Sequence, residues 1–123
     1  MAKRLASYFH CSTEFTLAVL GGKWKTVILC YLKERPCRFS ELRALLPGLS
    51  EKMLAERLRD LVAAGLVAQR KTTGKGGSSV YTLTANGRSL SKPLTALYDW
   101  GLEHAHHYNV EIGEPLNAFT AKR

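Results

Sequence analysis

Residues 50–65 leave the chain little conformational choice. Ser50 is a side chain that caps helix starts, Gly65 is a residue that ends helices, and between them Leu54, Leu58 and Leu61 recur at i, i+4 and i+7. At 100° per residue these leucines make one stripe that has to be buried. The opposite side carries Lys52, Glu56, Arg59 and Ala63, with Arg57 nearer the boundary. A helix from Glu51 to about Ala64, with a polar and mainly basic outer face, is therefore expected.

The flanking segments narrow the architecture. Upstream, Phe15, Leu17, Val19 and Leu20 mark a short helix from Thr13 that stops at Gly21-Gly22. Trp24, Val27, Ile28, Tyr31 and Leu32 mark an amphipathic helix from Lys23 to Lys33 that Pro36 closes. Arg38 and Phe39 read as a very short strand. Ser40 is placed to cap a brief helix over Glu41 to Leu46, and Pro47-Gly48 ends it. Downstream, Leu66 to Lys71 and Ser79 to Leu83 alternate like strands about a glycine-rich, basic tip at Thr72 to Ser78. Thr84 then caps a long helix with Leu90, Leu94, Leu97, Tyr98, Trp100 and Leu102, which Pro93 should bend or split. A mainly α chain with a small β-hairpin, in the order three helices then hairpin, is the plan of a winged helix-turn-helix.

Composition supports one domain. At 123 residues, 46% hydrophobic and 23% charged, the chain can bury a single core. The expected layout is one domain over 1–123, with its core at about 11–83, an N-terminal segment and a helix at 84–108 for association, and a tail at 109–123. Eighteen Lys plus Arg against ten Asp plus Glu give a net charge of +8, the balance of a protein that binds a polyanion. No apolar run is long enough to cross a bilayer and no leader is visible, so a cytoplasmic protein without a membrane partner is expected.

In this plan the helix after Ser50 enters the major groove, about 12 Å wide, and the hairpin lies against the backbone beside it. Lys52, Met53 and Glu56 are the candidates for base edges. Ser50, Arg57 and Arg59 are placed to reach phosphate or to position the helix, with Ser40 and Arg43 of the preceding helix and Arg70, Lys71 and Lys75 of the hairpin beside them. The alternative is a protein-interaction module on the same fold, which would call for neutral or apolar outward residues on that helix. An enzyme is not expected. The chain shows no nucleophile with its base and no paired carboxylates on one element, and Gly74 to Gly77 lie in a hairpin and not between a strand and a helix.

No cofactor is implied. His104, His106 and His107 read as the polar end of a helix and not as a metal site, lacking further ligands at ligand spacing. Cys11, Cys30 and Cys37 are odd in number and fit no zinc pattern, as expected of reduced thiols. Cys11 precedes a helix start, with Lys3 and Arg4 nearby, which favours thiolate. Cys30 reads as a buried filler and Cys37 as an exposed turn residue, and whether Cys11 pairs with Cys37 is left open.

Several segments in fixed order resemble the HxlR-type winged-helix regulators. They are Leu20-Gly21-Gly22-Lys23-Trp24-Lys25, Arg38-Phe39-Ser40-Glu41-Leu42-Arg43, Leu49-Ser50-Glu51-Lys52-Met53-Leu54 through Leu58-Arg59-Asp60-Leu61, Gly65-Leu66-Val67, Tyr81-Thr82-Leu83-Thr84-Ala85-Asn86-Gly87 and Trp100-Gly101. The resemblance implies a transcriptional regulator, a repressor in the first instance, that binds a roughly palindromic duplex operator as a homodimer built from its terminal helices. Leu17, Leu20, Leu94, Leu97, Tyr98 and Trp100 are the interface candidates. It also implies a sensor thiol for oxidants or electrophiles at Cys11, and Trp24, Tyr98 and Trp100 could line a small-molecule effector pocket. Two positions depart from the family pattern. Ser12 stands where a proline usually follows the cysteine, and the hairpin tip lacks the usual proline, which implies a looser wing with more electrostatic contacts.

Overall fold

The computed structural model describes residues 5–72 and 79–113. Its elements run α1 (Ser12–Leu20), α2 (Lys23–Glu34), β1 (Cys37–Arg38), α3 (Phe39–Leu45), α4 (Glu51–Ala63), β2 (Val67–Lys71), β3 (Ser79–Leu83), α5 (Ala85–Arg88) and α6 (Ser91–His104), followed by a 3-10 turn at Ala105–Tyr108. The protein is mainly helical with one antiparallel sheet in the order β1-β3-β2. The hairpin pairs Val67 with Leu83 and Lys71 with Ser79. The short strand adds to its inner edge, with Cys37 opposite Tyr81 and Arg38 opposite Val80. The hairpin tip, with Lys75, lies outside the described residues. No single helix among the described residues is long and apolar enough to cross a membrane.

The core forms where the apolar stripes of the helices meet the inner face of the sheet. Ile28, Leu29, Tyr31 and Leu32 of α2, Leu42 of α3, Leu54, Leu58 and Leu61 of α4, Val67, Tyr81 and Leu83 of the sheet, and Leu94 of α6 are all buried in one cluster. Each of these leucines contributes on the order of 1.5–3 kcal/mol on leaving water.

Four expectations are corrected. The brief helix before the turn starts at Phe39, two residues ahead of the expected Glu41, and Arg38, not Ser40, is its cap residue. The Glu41 carboxylate accepts the Arg38 N–H at 2.7 Å, so the cap is supplied by the third helical residue reaching back. That bond, helped by Arg35, holds the Glu41 carboxyl below its ordinary range. Cys37 is not exposed in a turn. It is a fully buried strand residue whose thiol faces the Arg35 carbonyl. Leu20 and Leu94, expected at a dimer interface, are 3% and 0% exposed and belong to the protomer's own core.

The fourth correction concerns the long C-terminal helix, which is two helices. The Thr84 hydroxyl accepts the Gly87 N–H and donates to the Gly65 carbonyl, tying α5 to the end of α4. At Gly87 the chain presses so close to Leu66 that a Cβ would lie 2.1 Å from its carbonyl oxygen. The chain then turns at Ser89 and Leu90, and α6 delivers Leu94 to the core. Pro93 is the third residue of α6, in the first turn, where its missing N–H has no helical acceptor to lose. The expected split is there, but at Ser89 and Leu90, and Pro93 sits in the first turn that follows it.

Replacing Gly87 by Ala forces the Leu66 backbone to move, because the obstacle is a carbonyl and not a flexible side chain. We expect a loss of about 1–3 kcal/mol, read as a lower midpoint in thermal or denaturant unfolding. An unchanged midpoint would mean that α5 does not pack on the end of α4 in this way.

Candidate nucleic-acid interface

The two helices that bracket the turn are held by contacts that involve no partner. Leu46 and Leu49 are buried beneath the turn, and the Leu49 N–H donates to the Leu46 carbonyl at 3.1 Å. The Arg43 guanidinium crosses from α3 and donates to the Leu49 carbonyl at 2.9 Å. Trp24 of α2 lies against Gly48 from below. Arg43, expected among the DNA contacts, thus works inward on the geometry of the turn.

Ser50 caps α4 as expected, its hydroxyl accepting the Met53 N–H at 3.1 Å. The first turn of α4 is at the surface, with Glu51, Lys52 and Met53 all exposed. An N-terminus of this kind is electropositive and suited to a phosphate or a base edge. Along the outer face, Glu56 is half-buried and Arg59 exposed.

Arg57 is 32% exposed and leans toward two carboxylates of its own helix. Its Nε lies 3.7 Å from Asp60 and its Nη2 3.8 Å from Glu56. Asp60 in turn faces Lys25 of α2 at 3.6 Å. The outer face of α4 was expected to be mainly basic. It carries Glu51 and Glu56 as well as Lys52 and Arg59, with Arg57 at its edge drawn toward two carboxylates, a mixed pattern.

Further exposed cations, among the described residues, lie on the sheet. Arg70 and Lys71 are exposed at the outer end of β2, paired across the hairpin with Val80 and Ser79. Gln69 donates to the Ser79 hydroxyl at 2.8 Å and holds the two strands in register there. Glu56, Arg59 and Gln69 line a shallow cleft where α4 meets β2, so helix and hairpin form one continuous surface. Ser40 is exposed in the first turn of α3.

The three thiols occupy different environments. Cys11 is exposed and is the cap residue of α1, its sulfur accepting the Thr13 N–H at 3.4 Å. That bond, with further donors from the Thr13 side chain and the Glu14 backbone, lowers its pKa below the ordinary 9.0. Burial pushes the Cys30 thiol up and the Cys37 thiol up to about 11. At the far end of the chain, the apolar residues of the termini remain uncovered. Leu17 and Phe15 of α1 and Leu97 and Trp100 of α6 are exposed, while Tyr98 is half-buried against the core. His104 stacks on Trp100 with ring centroids 4.3 Å apart. Among the described residues no group of three His, Cys, Asp or Glu side chains is arranged to hold a metal ion.

Comparison with known proteins agrees with this geometry. The family model for HxlR-like helix-turn-helix proteins matches residues 19–109. The chain is 42% identical over 109 residues to the HTH-type transcriptional regulator YtcD of Bacillus subtilis, covering 89% of this chain and 84% of that one. Its fold is similar to the redox regulator HypR in its reduced form, with a TM-score of 0.76 and 31% identity over 80% of this chain and 98% of the other. It is also similar to the reduced form of the transcriptional regulator YodB of Bacillus subtilis, with a TM-score of 0.64 and 30% identity over 76% and 92%.

The thiol environments predict an order of reaction. Near neutral pH iodoacetamide should modify Cys11 first, because more of it is thiolate and it is exposed, Cys30 more slowly, and Cys37 only on unfolding. Mass spectrometry of a time course checks this. Modification of Cys37 at the rate of Cys11 would contradict the buried strand position.

Proposed function

From the premise that the chain belongs to the HxlR-like helix-turn-helix family of DNA-binding transcriptional regulators, we propose that it recognises a two-fold duplex operator as a homodimer and represses from it. In this reading the N-terminal half of α4 lies in the major groove. Lys52, Met53 and Glu56 meet base edges there. Lys52 donates to guanine and Glu56 accepts from cytosine, pairings that each contribute about 1–3 kcal/mol of discrimination. Ser50, Arg59 and Ser40 approach phosphates beside them, and Arg70, Lys71 and Lys75 of the wing follow the neighbouring backbone. The observation that carries this reading is the capped, exposed start of α4, on a helix that shares a cleft with the strand carrying the exposed Arg70 and Lys71.

Pairing through the termini is supported by the exposed Leu17, Leu97 and Trp100, apolar side chains on α1 and α6 that a lone protomer leaves in water. The proposed division is one domain, with the N-terminal segment and 84–108 devoted to association. A regulator of this kind acts in the cytoplasm, where its operator is. Cys11 is the proposed sensor of oxidants or electrophiles. Its lowered pKa and exposure support that role, as does the likeness to HypR and YodB.

The test is binding to a duplex recovered from a randomised pool, measured over a range of salt and with and without a mild oxidant. Affinity should fall steeply with salt, by about 0.9 in logarithmic slope per phosphate contact. Lys52→Ala should reduce preference for the recovered duplex by roughly 5- to 100-fold. Lys75→Ala should weaken all duplexes alike and reduce the slope by about one. Oxidant should change the affinity of the native protein and leave Cys11→Ser unaffected. A protein that prefers no duplex over any other, at any salt, is not what is proposed here.

A further inference from the structure

The ion pairs around α4 raise a question that its apolar stripe does not answer. Leu54, Leu58 and Leu61 fix how deep the helix sits and which side faces the core, and a charge pair to a second element adds a restraint on small rotations about the helix axis. A roll matters at the interface. With side-chain tips about 5–6 Å from the axis, a turn of about 10° moves them by about 1 Å, enough to spoil a bidentate contact to a base.

On one flank of the helix a second fixture exists. Asp60 faces Lys25 of α2 at 3.6 Å, and their side chains are only 20% and 22% exposed. Asp60 also lies at i+4 from Glu56 and i+8 from Lys52, so it ends the row whose other members are proposed to read the bases. Arg57 pairs with Asp60 from within the same helix and cannot resist a roll. Lys25 comes from a different helix and can. Its stem reaches Asp60 by passing over Gly21, where a Cβ would stand 2.6 Å from the Lys25 Cδ and 3.3 Å from its Nζ. Gly21, with φ of 76°, ends α1 and at the same time leaves the path that this lysine needs.

We propose that Lys25 and Asp60 are positioning residues that set the rotation of α4 and so determine which bases are preferred, without touching DNA. The inference rests on the reading of α4 as the segment in the groove. It separates two kinds of cation in a strongly basic chain. Lys52 and the cations of the wing act on DNA, whereas Lys25 acts on the helix that holds Lys52.

The experiment compares a duplex recovered from a randomised pool by the wild-type protein with a scrambled duplex of equal composition, over a range of salt. Lys25→Met should lower the ratio of the two affinities about tenfold while leaving the salt slope and the scrambled-duplex affinity unchanged. Lys25→Arg should restore most of the ratio. Asp60→Asn, which also takes away the carboxylate facing Arg57, should lower the ratio at least as far as Lys25→Met, and the double variant should lose no more than Asp60→Asn alone, since the Lys25–Asp60 pair is already gone there. If Lys25→Met does not fold, Lys25→Arg and Asp60→Asn carry the comparison. A wild-type ratio in Lys25→Met or Asp60→Asn, or losses that add in the double variant, would overturn the inference alone. A slope reduced by about one in Lys25→Met would also overturn it, by making Lys25 a phosphate ligand. A wild-type protein that prefers no recovered duplex would overturn the reading of α4, and this inference with it.

Discussion

Burial of Leu54, Leu58 and Leu61 is the contact on which the rest of this structure depends. The three side chains seat α4 against α2 and the sheet, and the same seating turns Lys52, Glu56 and Arg59 outward. A helix can offer a surface to a ligand only if its other side is fully engaged, because the apolar stripe would otherwise seek its own cover. The turn before α4 shares in this. With Leu46 and Leu49 buried and Arg43 bonded across it, the capped start of α4 has one position and not several. Preorganisation of this kind leaves little to be ordered when the helix meets a ligand.

Charge is divided among three tasks. Lys25 reaches a carboxylate of α4 from another helix, and Arg57 leans on the same carboxylate from within α4. Arg70 and Lys71 stand free at the end of the hairpin, where they can act on a polyanion at long range. The outer face of α4 itself is of mixed sign, which suits discrimination more than attraction, since each carboxylate there penalises an approach that fails to offer it a donor. A net charge of +8 therefore describes how the protein finds a polyanion and says little about how it chooses one.

The cysteines illustrate how one residue type takes on different chemistry from its surroundings. Cys11 receives backbone donors at a helix start and is open to solvent, Cys30 is half-buried among apolar neighbours, and Cys37 is buried in β1 beside β3. Donors to the sulfur favour thiolate and burial disfavours it, so the first is set up for chemistry and the last is an inert filler.

Much of this was legible in the sequence. The leucine period, the caps at Ser50 and Thr84, the stops at Gly21 and Gly65 and the alternation of the two strands are local signals, and they determine the order of elements and the winged helix-turn-helix plan because helix and strand periods are set by neighbours in the chain. The exposed start of α4 and the free cations Arg70 and Lys71 followed from the same pattern. Only the tertiary structure decided that Lys25 faces Asp60 of another helix and that Arg43 turns inward to the Leu49 carbonyl, partners that periodicity cannot see, whereas the Arg57–Asp60 pair, three residues apart on one helix, was within its reach. It also decided that Cys37, Leu20 and Leu94 lie inside, and that the chain breaks at Ser89 and Leu90, where Gly87 must approach the Leu66 carbonyl and Leu94 must still reach the core. Each of these depends on where a distant segment comes to rest. The sequence carries periods and caps along one dimension, whereas a contact between α2 and α4 exists only once both are packed on the same core.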